Sequence, residues 1–169
     1  YAAYTPALAA RNRAHLADPA GPRHVLFDAE TIDHRYPLMD DAASLPVLWS
    51  HFDVVDVVGP FVHFARRSAP RPYTLVEGPV THAPLSAWMD VPGGDTPIWA
   101  TVTVERSWLG RLAAVLYKLP PLVIDVSTAD GVQREFRLIR AVGPTGFVAS
   151  PLVSTPAHVV DLLAGRPPD

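Results

Sequence analysis

Hydrophobic and polar positions change period several times along the chain, and each change marks an element. Thr5-Pro6 is an N-cap followed by proline at the first helical position, so Ala7 to Ala17 is expected to be helical. Its apolar stripe is thin, with Leu8 and Leu16 alone. Arg23 to Phe27 then alternates as a short strand. Leu45, Leu48, Trp49 and Phe52 recur at helical spacing behind Ser44, an expected N-cap with Pro46 in the first turn. After this the period drops to two. Asp53–Val58 and Phe61–Arg66 read as an antiparallel hairpin turning at Gly59-Pro60. Tyr73–Val76 and Val80–His82 are further strand candidates. Ile98 to Glu105 is the cleanest alternation. Ile98, Ala100, Val102 and Val104 fall on one side, and Trp99, Thr101, Thr103 and Glu105 on the other.

Ser107 caps a predicted helix from Trp108 to Lys118, with Leu109, Leu112, Val115 and Leu116 on one side and Lys118 at the negative end of its dipole. Leu122 to Ile139 is a hairpin whose register can be argued. A two-residue turn at Asp130-Gly131 would put Val126 opposite Glu135 and Ile124 opposite Arg137. A three-residue loop, Ala129-Asp130-Gly131, sets Ile124 against Phe136, Leu122 against Leu138 and Asp125 against Glu135. A one-residue slip flips every side chain, so the unmixed apolar face selects the second register. Gly143 to Gly146 is a turn and Phe147 to Ala149 the last strand. Thr155-Pro156 opens a short helix closed by Gly165.

Short strands with Gly/Pro turns and few helices predict an α+β, mainly β chain. The expected architecture is an antiparallel β-sandwich, jelly-roll-like, with a few short peripheral helices. One globular domain is expected over 1–169. It divides into an N-terminal helix and linker (1–22), a β-rich core (23–153) and a C-terminal helix and tail (154–169).

Composition narrows the function classes. Apolar residues are 49% and charged ones 18%, too apolar for a disordered chain. The net charge is −3, and the basic residues are scattered arginines with Lys118 the one lysine, which argues against a nucleic-acid or anionic-membrane surface. There are no cysteines, so disulfides, thiolate chemistry and Cys-ligated zinc are excluded. Nineteen prolines stiffen the loops. No apolar run reaches the ~20 residues of a membrane helix.

Asp28 to Asp41 is the most charged stretch and the first place to look for chemistry. Asp28, Glu30, Asp33, Asp40 and Asp41 offer oxygens to a hard cation, but the spacing fits no EF-hand. Asp28, Asp33 or Glu105 would supply the two carboxylates of a glycan hydrolase. Against both stands internal pairing of Asp33 with Arg35, with Asp40 and Asp41 ahead of the Ser44 helix. The seven histidines show none of the short metal-binding spacings, and His63, in phase with Phe61, is expected in a core or interface. No nucleophile elbow or phosphate loop is present. No metal, cofactor or catalytic residue is assigned. Trp99 on the polar side of its strand, with Thr101 and Thr103 beside it and Trp88 near in sequence, is what a sugar-binding face would offer. The competing expectation is a Trp99 covered by a loop, since large aromatics are mostly buried.

Two stretches together carry a resemblance. One is Phe27-Asp-x-x-Thr-Ile-Asp-x-Arg-Tyr-Pro-x-x-Asp-Asp41, followed by the Ser44 helix and hairpin. The other is Gly110-Arg111, the Asp130-Gly131 hairpin with Phe136-Arg137, and Gly146-Phe-Val-Ala-Ser-Pro151. The pattern resembles the C-terminal soluble region of uncharacterised bacterial multi-spanning membrane proteins, some likened to membrane glycosyltransferases. The resemblance implies a periplasmic or cell-surface domain tethered to membrane segments upstream of Tyr1. A first residue other than Met agrees with it. The leading expectation is therefore a non-catalytic extracytoplasmic domain that binds glycan or assists envelope-glycan processing. The alternatives are a glycan-directed hydrolase using the 28–41 carboxylates, and a structural protein-interaction module. The last predicts an apolar surface patch rather than a polar cleft.

Overall fold

The computed structural model of the chain describes residues 5–94, 96–117 and 120–166. In chain order the elements are helix α1 (Pro6–Ala17), strand β1 (His24–Asp28), helix α2 (Leu45–His51) and strands β2 (Phe52–Val58), β3 (Phe61–Arg66) and β4 (Ile98–Ala100). Helix α3 (Trp108–Leu116), strands β5 (Leu122–Ser127), β6 (Gln133–Leu138) and β7 (Phe147–Ser150), and helix α4 (Pro156–Leu163) follow. Helices thus mix with antiparallel strands in three small sheets, ordered β1-β3-β2, β4-β7 and β5-β6.

The three-stranded sheet is the base of the core. Its hairpin turns at Gly59-Pro60 as expected, and the register breaks between Val54 and Asp56. β3 is central, and its inward residues Val62 and Phe64 are fully buried. Phe52, Leu45, Leu48 and Met39 pack with them, along with Phe147, Val148, Val153 and Val159 from the last third of the chain. Each large side chain removed from water here contributes about 1.5–3 kcal/mol. Arg66 ties α1 to the sheet. Its Nε–H donates to the Pro22 carbonyl and its Nη2–H to the Leu16 carbonyl, both at 2.9 Å, while its cation lies over Phe52.

Local signals behave as the sequence predicts at three helix starts. The hydroxyls of Thr5, Ser107 and Thr155 accept bonds from the backbone N–H of Leu8, Gly110 and His158. Ser44 differs. A 3-10 turn over Ala42–Ser44 precedes α2, and Ser44 makes no capping bond. The β5–β6 hairpin adopts the argued register: Leu122 faces Leu138, Ile124 faces Phe136 and Asp125 faces Glu135. Gly131, at φ +84, closes its loop, a left-handed position suited to glycine.

Two expectations fail. Tyr73–Val76 and Val80–His82 form no strands; residues 72–94 are exposed and irregular, with one turn at Pro84–Ala87. Six prolines between 70 and 97 remove ladder donors, and no neighbouring strand faces the segment. The Ile98–Glu105 strand is shorter than predicted. Its ladder ends at Ala100 because β7, its partner, covers only Phe147–Ser150 before the chain turns into a 3-10 helix at Gly143–Thr145. Burial nevertheless alternates on to Glu105, and the Val102 N–H still reaches the Gly143 carbonyl at 3.1 Å. Lys118, expected at the end of α3, lies outside the described residues.

Candidate functional site

The 28–41 stretch has no period because its backbone leaves the allowed regions of ordinary elements. Asp33, His34 and Leu38 all take positive φ, near +55 to +60°, which costs L-residues roughly 1–2 kcal/mol apiece. Burial and bonding hold them. Arg35 to Met39 are all buried. Arg35, 5% exposed, donates through Nη1–H to Asp40 at 2.5 Å and through Nη2–H to Asp33 at 3.3 Å. Its backbone N–H belongs to a turn from Ile32, while the next residues stitch onto β6. Arg137 N–H donates to the His34 carbonyl at 2.7 Å, and Tyr36 N–H to the Arg137 carbonyl at 3.1 Å. Tyr36 then stacks between Phe136 and Phe147 and donates its hydroxyl to the Ala149 carbonyl at 3.3 Å. Burial pushes the Tyr36 phenol up to about 12, so it is a donor throughout the physiological range.

The carboxylates of this stretch are dispersed over several jobs. Asp28 accepts the backbone N–H of Glu30, closing the end of β1. Asp33 and Asp40 hold Arg35. Asp41 accepts from the Asn12 side chain at 3.1 Å, tying α1 to the 3-10 turn, and burial raises its carboxyl above the ordinary range. Among the described residues no group of three His, Cys, Asp or Glu side chains could hold a metal ion.

Trp99 is half-buried rather than presented. The β4–β7 register breaks between Ile98 and Trp99, which resets the phase, and Trp99 packs against the core together with Ala100. Its indole lies on Gly146, at φ +85, where any Cβ would collide with it. Thr101 and Thr103 stand exposed beyond the end of the ladder. Trp88, 64% exposed, sits in the irregular segment. The four residues named for sugar binding therefore lie in three different settings.

Sequence reasoning missed two constellations. The first runs across the three-stranded sheet: Asp56 faces His63 in the β2–β3 register, and His24 lies diagonal to His63 across β1–β3. The His63 Nδ1 is 2.9 Å from Asp56, which makes it the donor, and its Nε2 then accepts from His24 Nδ1 at 3.0 Å. Strand spacing alone does not reveal this row; the register of all three strands does. The second is apolar. α3 buries no residue and packs substantially on no other helix or strand. Trp108, Leu109, Leu112, Val115 and Leu116 all point to solvent. Tyr73, Leu75, Val76, Val80, Leu85, Trp88, Met89 and Val91 do so along the irregular segment.

The concave features are shallow. A groove of about 480 Å³ beside α1 is lined by Pro6, Ala9, Arg13 and Ala17 with Ala43 and Thr145, and Arg13 is its one charged side chain. A second, about 280 Å³, has Arg106, Arg137 and Arg140 around Pro120, Pro121 and Leu122. No helix among the described residues is long and apolar enough to cross a membrane. Comparison with protein-family models, with curated proteins and with solved structures finds no match.

Proposed function

We propose that this chain is a non-catalytic docking module. Its core, stitched by the 28–41 stretch, holds out an irregular arm (72–94) and α3 as contact elements. The observation that carries this is the outward apolar stripe of α3. Soluble folds turn such a stripe inward, and exposed apolar surface of this kind marks interaction sites. The arm adds to it: a long segment without secondary structure is uncommon in a compact domain unless it is a linker or binds something. The hydrolase reading has less behind it, because Asp33 and Asp40 both sit on Arg35. The glycan reading keeps Trp88 as its exposed aromatic. The finer architecture, a jelly-roll-like sandwich, belongs to the same proposal. Its support is that the strand pairings within all three sheets are antiparallel and that their inward residues share one core.

Hydrogen exchange on the free chain tests the docking reading. The arm amides are expected to exchange at close to intrinsic rates, and α3 is expected to be far less protected than β3. Slow exchange across the arm and α3 in the monomer would mean that both are internally packed, and would end the reading.

A further inference from the structure

The orientation of α3 is the most unusual feature of the molecule. Helical spacing puts Trp108, Leu112 and Leu116 in one row, with Leu109 and Val115 on either side. That whole stripe is exposed; Trp108 is 69% open to solvent. The half-buried side is instead the small one, Gly110, Ala113 and Ala114. The outward stripe is apolar apart from the indole N–H of Trp108, so it offers a single hydrogen-bond donor with which to select a protein partner.

Charge says what kind of surface it meets. From Arg106 to Ile124 the sequence has three basic residues and no acidic one, in a chain of net charge −3. Arg111 flanks the stripe. Arg106, one residue before the Ser107 cap, shares the groove at the foot of α3 with Arg137 and Arg140. Among the described residues Arg35, Arg67, Arg71 and Arg166 enter ion pairs, and Arg106, Arg111 and Arg140 are among the other arginines, which do not. One guanidinium nitrogen of Arg140 is buried without a hydrogen-bond partner. The carboxylates bordering this surface are Glu105, exposed and next to Arg106, and Asp125 and Glu135, one step from Arg137 toward the hairpin turn. Two copies meeting face to face on α3 would set these cations against each other. Trp108 and Tyr117 bracket the helix, and both residue types favour the headgroup level of bilayers.

We propose that α3 lies flat on the surface of an anionic lipid bilayer. Its apolar stripe inserts to the depth of the acyl boundary, and the exposed Arg106 and Arg111 meet headgroup phosphates. The inference rests on the reading of α3 as a docking face and names its partner.

The test uses the full chain with phosphatidylcholine vesicles that contain or lack phosphatidylglycerol. Co-sedimentation is expected with the anionic vesicles, weakened by salt, with Trp108 fluorescence quenched by brominated lipid. Leu112→Asp and Leu116→Asp should each abolish binding while leaving the unfolding midpoint unchanged. Arg106→Ala and Arg111→Ala should each weaken it about fivefold. Absence of vesicle binding, with Trp108 freely quenched by acrylamide in the monomer, overturns the lipid proposal and leaves the docking reading standing. A Trp108 shielded in the monomer overturns both. A dimer in sedimentation velocity that Leu112→Asp dissolves assigns the face to a second copy and also overturns the lipid proposal.

Discussion

Residues 28–41 and residues 72–94 have nearly the same secondary structure, which is almost none, and opposite burial. The first sends Arg35 to Met39 into the core while Ile32 to His34 stay exposed; the second lies wholly in solvent. The difference lies in how each meets the demands of its backbone and charges. The 28–41 stretch brings Arg35 with two carboxylates and lends its backbone to β6, so the Arg35 cation and the backbone beside it enter the interior paired, although one Asp41 oxygen is buried without a hydrogen bond. The arm has six prolines nearby and no cross-chain bonds, and its apolar side chains have no surface of this chain to cover. Irregular backbone is therefore not a measure of looseness; partners are.

The largest break in this contrast comes from Arg35→Ala. It removes the cation that Asp33 and Asp40 share and leaves a void beside Tyr36. A loss of about 3 kcal/mol is expected in urea unfolding. An unchanged midpoint would show that the buried stretch stands without its ion pairs. Asp41→Asn has a smaller effect of opposite sign. Burial raises the Asp41 carboxyl, so the folded state holds a proton more tightly than the unfolded chain, and stability falls as pH rises above the ordinary Asp range. The amide is expected to raise the unfolding midpoint at neutral pH, with the gain vanishing in acid, where Asp41 is protonated. A loss at neutral pH would mean that the bond from Asn12 to the carboxylate outweighs its burial cost. The smallest effect belongs to the arm. Leu75→Ser with Val80→Ser should change stability by less than about 0.5 kcal/mol. A larger loss would place the arm against the body.

The legible parts of the fold were those with a self-contained code. The β5–β6 register followed from one slip argument, and the β2–β3 hairpin from period two around Gly59-Pro60. Thr5, Ser107 and Thr155 announced their helices. What stayed hidden needed a partner. Val80–His82 has strand composition, but a strand exists only beside another. The stripe of α3 was read correctly as a stripe, yet spacing says only that such residues seek cover, not that this chain supplies it. Trp99 is half-buried along with Ile98 and Ala100, and the break in register between Ile98 and Trp99 that accompanies this cannot be seen in an alternating pattern. The left-handed Asp33, His34 and Leu38 explain why the stretch matched no period. Of the candidate sites, the pairing of Arg35 with Asp33 is legible in the sequence, and the share that Asp40 takes in it is not. The Asp56–His63–His24 row is not legible either, since it depends on three strands at once.

The hydroxyl of Tyr36 reaches a carbonyl 113 residues later in the chain. During synthesis, helix α2 and the first three strands can pair as soon as Arg66 has emerged, but the ring of Tyr36 has no lid until Phe136 and Phe147 are made. While the residues between Arg66 and Phe147 are made, this half-built core therefore carries an open aromatic socket. Closing it requires a long-range contact of the kind that slows folding. The order of events is written into the topology: sheet first, seal last.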